Sequence, residues 1–295
     1  MDAKVLILKK LFLSFLFCFA ALCLYTFCRS QTDGFTIAKI RSSPSFSFSC
    51  PPKQAEEFSP KIFEQPFFYL GSGAQTFAFV SEDGKYVLKL FSHHKGRHPL
   101  QGIAFALPPP WKKRLEATVA KRERRLINNF NGYAIASEYF FDESGLLYLH
   151  LAKGNELQKT VTLYDKIGVV HKIDLDEVEF VLQKKADLIY PTLALWIAEE
   201  SLEKSEQALT ELVALLHTRG RRGIYDKDPD LETNFGFVDS VPIQFDTGRF
   251  KKSSALDPRT STEELIRITD RLCQWLDEKC PPLADHVRKT VGEES

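Results

Sequence analysis

The chain has 295 residues, of which 44% are hydrophobic and 26% are charged, a composition typical of a globular protein. Lys and Arg total 39, and Asp and Glu also total 39, so the formal net charge is zero. This balance argues against a dedicated nucleic-acid-binding protein, which normally carries a basic excess.

The first 30 residues are predicted to be a membrane anchor or a signal segment. Lys9 and Lys10 precede residues 11–28, an uncharged run with few polar interruptions, and Arg29 ends the run. A spanning helix needs about 20 apolar residues, whereas the apolar part of a signal peptide usually has about 7–15. The length therefore favours a single-pass N-terminal anchor. The small charge difference across the run leaves the side of the membrane open.

Residues 31–60 are predicted to be a linker, because Ser and Pro are frequent there and no helical or strand periodicity is visible. Residues 61–290 then form a soluble domain. Its first part is predicted to be an antiparallel meander of three strands, at 67–70, 77–80 and 86–91. A turn containing Gly71 and Gly73 separates the first two strands, and a hairpin turn at 82–85 separates the second from the third.

The pattern after the meander changes from strands to helices. The expected elements are a helix at 111–130, strands at 133–141 and 146–151, helices at 177–190 and 192–218, extended runs within 236–245, and a helix at 262–280. This order predicts an α+β fold with two lobes. The first, at about 61–152, is a small antiparallel sheet with one helix, and the second, at about 153–290, is mainly helical.

Three motifs within residues 66–250 resemble those of the protein-kinase-like superfamily. LGSGAQTFAF (70–79) is similar to the glycine loop that covers the nucleotide, and VLK (87–89) is similar to the strand that carries the phosphate-binding lysine. NFGFVDSVPIQFDTG (234–248) is similar to the metal-binding asparagine, a β-hairpin and the metal-binding aspartate of the DFG-like turn. The pattern DxDxxxxxN also resembles that of a bacterial membrane-associated kinase-like family.

The resemblance implies a two-lobed kinase-like fold that uses ATP and Mg²⁺. Gly71 and Gly73 would let backbone N–H groups approach phosphate oxygens, because glycine has no side chain in the way. Lys89 would contact the α- and β-phosphates. Asn234 and Asp246 would supply the hard oxygen ligands that suit Mg²⁺. Phosphoryl transfer depends on this kind of charge neutralisation and positioning.

The loop that should carry the catalytic base departs from the family pattern. The stretch GIYDKDPDLETN lacks the usual His-Arg, and the standard interval before Asn234 falls on Pro229. Asp228 lies six residues before Asn234 and Asp226 lies eight, so a base at Asp228 needs only one residue more than the family's interval. Asp228 is therefore the expected base, and Asp226 is the alternative.

Two other positions also differ or stay ambiguous. The third glycine of the nucleotide-covering loop is replaced by Thr76. The carboxylate that should pair with Lys89 is either Glu116 or Glu123, which lie seven residues apart on the same face of the predicted helix.

These residues favour a membrane-tethered kinase-like protein that transfers a phosphoryl group from ATP·Mg²⁺ to a hydroxyl. Few residues follow Gly248, so a complete protein-kinase substrate lobe is not expected, and the acceptor is predicted to be a small or lipid-linked molecule. The membrane is the other expected partner, through residues 11–28, and neither nucleic acid nor a particular protein is expected. The alternative is a pseudokinase or interaction module that binds a nucleotide or a partner without catalysis; Thr76 and the irregular base loop favour it.

Overall fold

The computed structural model describes residues 3–42, 48–93, 108–253 and 258–293. Its α-helices are α1 (Ala3–Gln31), α2 (Ile37–Ile40), α3 (Pro109–Tyr139), α4 (Ile189–Ala198), α5 (Leu202–Arg221), α6 (Pro258–Lys279) and α7 (Pro281–Glu293). Its β-strands are β1 (Lys53–Gln54), β2 (Phe67–Ser72), β3 (Thr76–Ser81), β4 (Tyr86–Phe91), β5 (Leu146–His150), β6 (Thr160–Tyr164), β7 (Val170–Asp174), β8 (Phe180–Lys184), β9 (Asp187–Leu188), β10 (Ile224–Asp226), β11 (Phe235–Val238), β12 (Val241–Gln244) and β13 (Phe250–Lys252).

An eight-stranded sheet forms the first lobe, with the strand order β1-β5-β8-β4-β3-β2-β6-β7. The expected meander is confirmed as β2, β3 and β4, which pair antiparallel with Ala78 opposite both Gly71 and Lys89. β4 also pairs with β8, and β2 pairs in parallel with β6. The sheet is therefore larger than expected and is not purely antiparallel. It continues to Lys184, beyond the lobe boundary expected near residue 152.

The strand predicted at 133–141 is wrong, because α3 continues through Tyr139. Tyr133, Ala136 and Phe140 are buried in the core. Their spacing of three and four residues places them on one side of a helix, as expected for a helix that covers a core. The aromatic residues in this stretch also have high strand propensity, and that propensity led to the wrong assignment.

The helix predicted at 177–190 is wrong over most of its length. β8 occupies the centre of this stretch and lies between β4 and β5 in the sheet. Phe180, Val181 and Leu182 are fully buried there, which is typical of a strand that is covered on both faces. The helix predicted at 192–218 is two helices, α4 and α5, separated by a break at which Glu200 has φ +56°.

Two hydrophobic cores lie on the two faces of the sheet. The first contains Phe91, Leu149 and Val181 from the sheet together with the buried faces of α3, α5, α6 and α7. The second contains Phe67 and Phe79 from the sheet and residues from the N-terminal side of the domain. The predicted two-lobed α+β architecture is confirmed, with a sheet lobe followed by a mainly helical lobe.

The N-terminal part differs from a simple anchor and linker. Within the part of the chain that the structure describes, one helical segment, Phe12–Gln31, is long and apolar enough to cross a membrane. Parts of the expected linker at 31–60 pack against the sheet lobe: Phe35 and Ile40 are buried there, and Lys53–Gln54 forms β1 beside β5. Residues 43–47 of that linker lie outside the described residues.

Candidate active site

A cavity of about 600 Å³ lies where the β2–β3 turn, α3 and the loops around β10 to β13 meet. Pockets that bind small molecules have about 300–1,000 Å³. The cavity is lined by Gly73, Ala74, Gln75, Thr76, Arg125, Asn128, Asn129, Tyr133, Lys227, Asp228, Asp246, Gly248, Arg249 and Lys251. Both lobes therefore contribute residues to one site.

The turn between β2 and β3 forms one wall of the cavity. The N–H of Gly73 donates to the carbonyl of Thr76 at 2.9 Å, and a Cβ at Gly73 would lie 3.3 Å from the Thr76 hydroxyl. Gly71 lies further back, inside β2 and opposite Ala78. Of the two glycines predicted from the sequence, Gly73 borders the cavity and Gly71 shapes the strand before it.

Lys89 reaches from the sheet to the turn that carries Asp246. Its Nζ donates to the carbonyl oxygen of Phe245 at 2.7 Å and lies 5.1 Å from the centre of the Phe245 ring. Burial lowers the pKa of Lys89 to about 8, and the negative charge of Asp246 opposes this decrease. Because Lys89 and Phe245 are 156 residues apart in the chain, this contact is created by the fold.

The low pKa of Lys89 makes the stability of the protein depend on pH. Between pH 8 and 10.5 the Lys89 amine is protonated to a larger fraction in the unfolded chain than in the folded protein. The free energy of unfolding should therefore rise with pH across that interval. We expect the free energy of unfolding of the wild type to increase relative to that of Lys89→Met as the pH rises from about 8 to 10.5. Urea titrations at several pH values measure this difference.

The exposed Lys85 provides the control for this experiment, since Lys85→Met removes a lysine from the surface of the same sheet. If the difference in free energy of unfolding between the wild type and Lys89→Met stays constant across the pH interval, the Lys89 ammonium is not buried.

Asn234 connects the backbone segments that carry the two carboxylates of the cavity. Its Nδ2 donates to the carbonyl oxygen of Asp228 at 2.6 Å. The backbone carbonyl of Asn234 accepts the backbone N–H of Phe245 at 3.0 Å and that of Asp246 at 3.4 Å. These bonds fix the base loop and the Asp246 turn against each other, so Asp228 and Asp246 enter one cavity from neighbouring positions.

Asp226 is a supporting residue in the interior and does not line the cavity. It is 1% exposed; one carboxylate oxygen accepts the Asp228 N–H at 2.9 Å and the other accepts from Gln244 Nε2 at 2.5 Å. The guanidinium of Arg219 lies 3.9 Å away and is also buried. Burial raises the pKa of Asp226. Of the two aspartates considered as a base, Asp228 is the one that a substrate in the cavity can reach.

Asp228 is paired with Arg249 at 3.3 Å across the cavity. Both side chains are at least half exposed, so the pair contributes little to stability. An exposed ion pair of this kind can separate and leave the carboxylate available to a ligand.

Neither glutamate that was expected to pair with Lys89 does so. Glu116 and Glu123 are both exposed on α3, and no ion pair joins either of them to Lys89 in the described structure. The cause is the rotation of α3, which directs a different face to the cavity. In place of a glutamate, Asp246 supplies the negative charge that raises the pKa of Lys89 against the effect of burial.

The face of α3 that borders the cavity carries Asn129 and Tyr133, which sequence reasoning missed. Burial raises the pKa of the Tyr133 hydroxyl, and the charge of Asp246 raises it further. Asn129 Oδ1 is buried and has no hydrogen-bond partner among the described residues. The spacing of Asn129 and Tyr133 by one helical turn could have revealed this face, but only if residues 133–141 had been assigned to the helix.

α3 approaches the backbone of the Asp246 turn closely at Gly132. A Cβ at this position would lie 2.5 Å from the carbonyl oxygen of Thr247 and 2.6 Å from the carbonyl carbon of Gly248. Both atoms belong to the backbone, so a side chain could be accommodated only if the helix and the turn moved apart. Gly132 therefore sets the distance between α3 and the carboxylate-bearing turn.

We expect Gly132→Ala to lower the free energy of unfolding by about 1–3 kcal/mol, the usual cost of forcing extra atoms into a packed site. Gly292→Ala is the matched control, because Gly292 is also helical and a Cβ there has no neighbour within 4 Å. That control should be neutral or stabilising by up to about 1 kcal/mol, since Ala favours helix over Gly. Equal effects of the two substitutions, measured by urea unfolding, would contradict the close approach.

The charges around the cavity suit an anionic ligand. The basic side chains that line it are Arg125, Lys227, Arg249 and Lys251. The acidic ones are Asp228 and Asp246, so basic groups are in excess by four to two. A concave site with an excess of one sign attracts ligands of the opposite sign. The basic groups favour a phosphate-bearing molecule, while the two carboxylates are available to a cation or a proton.

The chain has low sequence identity to the solved structures that it is similar to. No family model matches it, and no curated protein matches it in sequence. Among solved structures it is similar to WbdD, with 13% sequence identity and a TM-score of 0.40 over 77% of this chain and 46% of the WbdD chain. A further structure, described as the bifunctional kinase-methyltransferase WbdD, has 12% identity and a TM-score of 0.33 over 74% and 43% of the two chains. The chain thus spans less than half of the length of the WbdD chains.

Proposed function

We propose that the protein is a membrane-tethered phosphotransferase of the kinase-like type, which transfers the γ-phosphoryl group of ATP to a hydroxyl of a small or lipid-linked acceptor. The observation that carries this proposal is the meeting of Gly73, Asp228 and Asp246 at one cavity, with Lys89 reaching the same turn from the sheet. These groups come from four separate parts of the chain. Their order and residue types are those that the resemblance to kinases implies.

The donor set near Asp246 fits Mg²⁺. The described residues contain no group of three or more His, Cys, Asp or Glu side chains that could hold a metal by themselves. Mg²⁺ is usually bound by one or two carboxylates together with substrate phosphates, so a complete protein cage is not required. Asp246 would hold the ion at the cavity. Asn234 does not line the cavity, and its amide oxygen accepts from Thr233 Oγ1 at 3.2 Å, so its side chain would have to turn to supply a second ligand. The bound ion would neutralise charge on the phosphates.

The residues of the chain divide the remaining work between them. The β2–β3 turn, with Gly73, covers the phosphates, and the ammonium of Lys89 stabilises their negative charge. Asp228 accepts the proton of the acceptor hydroxyl while the hydroxyl oxygen forms a bond to the γ-phosphorus and the bond from that phosphorus to ADP breaks. Arg249 must leave Asp228 for this step, and its guanidinium is then free to contact the transferred phosphoryl group.

A specific observation favours the pseudokinase as the second candidate. Lys89 is already bonded to the Phe245 carbonyl, and Asp228 is already paired with Arg249. Two of the groups that transfer requires are therefore occupied by the protein itself. A protein fixed in this arrangement would bind a nucleotide or a partner in the cavity without transferring a phosphoryl group.

Two measurements on the full-length protein in lipid nanodiscs separate these candidates. Thermal unfolding with ATP, with and without Mg²⁺, reports binding, because a ligand of the folded state raises the unfolding temperature. ATP labelled at the γ-phosphate, incubated with the protein and total membrane lipids, reports transfer. A phosphotransferase shows both signals and a pseudokinase shows only the first. If neither binding nor transfer is observed, the proposal that the protein uses ATP is wrong.

A further inference from the structure

The end of α1 is fixed to the sheet lobe by a short, well-bonded turn. The N–H of Gly34 donates to the carbonyl of Arg29 at 2.8 Å, and the N–H of Phe35 donates to that of Thr32 at 2.9 Å. Gly34 has φ +71°, a conformation that glycine adopts without strain. Phe35 is 3% exposed and packs against the rings of β3. The apolar helix therefore joins the domain without a flexible spacer.

The hairpin of β6 and β7 lies beside this junction. Lys166, in the hairpin turn, pairs with Asp33 at 2.9 Å, and the ring of His171 lies 5.5 Å from that of Phe35. The carboxylate of Asp165 accepts the N–H groups of Ile167 and Val169 at 3.1 and 2.9 Å, which holds the turn in one shape. The hairpin tip is thus a fixed part of the surface next to the end of the apolar helix.

The tip exposes apolar side chains where a hairpin turn is usually polar. Ile167, Val169 and Val170 are 55%, 48% and 50% exposed, respectively. Lys166 is adjacent to them in the chain and is 46% exposed although it pairs with Asp33. Exposed apolar side chains next to a basic one suit the interface of a lipid bilayer. The patch lies close to the end of α1, because Lys166 in the hairpin turn pairs with Asp33, two residues beyond the helix.

We propose that the tip of the β6–β7 hairpin, with Ile167, Val169 and Val170, inserts into the bilayer interface next to α1. This inference rests on the membrane anchor in the proposed function and adds a second membrane contact that fixes the orientation of the domain. β2 and β6 are parallel, with Phe68 opposite Tyr164, so the glycine turn that follows β2 and the tip that follows β6 lie at the same end of the sheet. The cavity then faces the membrane side, which selects a lipid-linked acceptor over a freely soluble one.

Quenching of tryptophan fluorescence in nanodiscs tests the contact. Ile167→Trp and Val169→Trp are prepared in the full-length protein, with lipids brominated at shallow acyl positions, and the signal of the wild type is subtracted. Val241→Trp is the matched control, because Val241 is also 55% exposed and follows a tight hairpin turn, but in the helical lobe. Leu16→Trp, within α1, reports the anchor itself.

We expect quenching at positions 167 and 169 to exceed that at 241 by about twofold or more, because interfacial apolar groups are buried about 5–10 Å into the boundary. Position 16 should be quenched as well. Quenching at 16 with none at 167 or 169 would overturn the hairpin contact and leave the anchor intact. Absence of quenching at 16, 167 and 169 would overturn both the anchor and the hairpin contact. Equal quenching at 167 and 241 would also overturn the hairpin contact.

Discussion

Asp246→Ala is expected to abolish Mg²⁺-dependent ATP binding. Asp246 is the carboxylate of the cavity whose charge acts on Lys89, and its oxygens are the only charged ligands offered to a cation by the described Asp246 turn. Without it, the cation that neutralises the phosphates would lose its negatively charged protein ligand, and a hydrogen bond to the Gly248 N–H that shapes the turn is lost as well. Titration calorimetry with ATP in the presence and absence of Mg²⁺ measures the change.

Asp285→Ala provides the control, because the Asp285 side chain is 81% exposed on α7 and outside the cavity. The affinity of this variant for ATP should equal that of the wild type. If Asp246→Ala folds, as judged by a cooperative unfolding transition, and still binds ATP with the same dependence on Mg²⁺, the assignment of Asp246 as the metal ligand is wrong.

Asp228→Asn is expected to reduce phosphoryl transfer by about 10²- to 10⁴-fold, the usual contribution of a positioned general base. ATP binding should change little, because the amide occupies the same volume and the backbone carbonyl of residue 228 still accepts from Asn234. Steady-state transfer rates and calorimetric affinities, compared on the same preparation, measure the two effects.

Asp226→Asn separates this role from that of the neighbouring carboxylate. Asp226 is buried and accepts from the Asp228 N–H and from Gln244 Nε2, so an amide in its place leaves one of these donors without an acceptor. Arg219 then keeps Glu264 as its counter-charge and loses Asp226. We expect a lower free energy of unfolding, by about 1–3 kcal/mol, with transfer per folded molecule largely kept. If Asp226→Asn removes transfer and Asp228→Asn does not, the roles of the two aspartates are reversed.

The local pattern predicts some elements well because their hydrogen bonds and packing are local. The meander of β2 to β4 follows from alternating apolar residues and a hairpin turn at 82–85. β8 was missed because it pairs with β4 and β5, which are distant in the chain, and a buried apolar strand has no alternation to read. The β6–β7 hairpin was also missed, although Gly168 with φ +83° occupies a turn between two alternating runs.

Some features of the candidate site could also be predicted from the sequence, and others could not. The resemblance of the motifs predicted one site for Gly73, Lys89, Asp228 and Asp246. The structure places Gly73, Asp228 and Asp246 at one cavity, and Lys89 is bonded to the turn that carries Asp246. The contacts of Lys89 could not be predicted, because they depend on the rotation of α3 and on its close approach at Gly132. Its bond to the Phe245 carbonyl joins residues 156 positions apart, and no local pattern specifies such a contact.

Covalent labelling of Lys89 by an ATP acyl-phosphate tests the central claim most directly. This probe transfers its acyl group to an amine only when the phosphates of the nucleotide lie beside that amine, and a pKa of about 8 leaves part of the Lys89 amine neutral and reactive. We predict acylation of Lys89 in the full-length protein, detected by mass spectrometry, with strong protection by ATP·Mg²⁺ and loss of that protection in Asp246→Ala. Labelling that is absent from Lys89, or that ATP·Mg²⁺ does not reduce, would contradict a nucleotide site in this cavity.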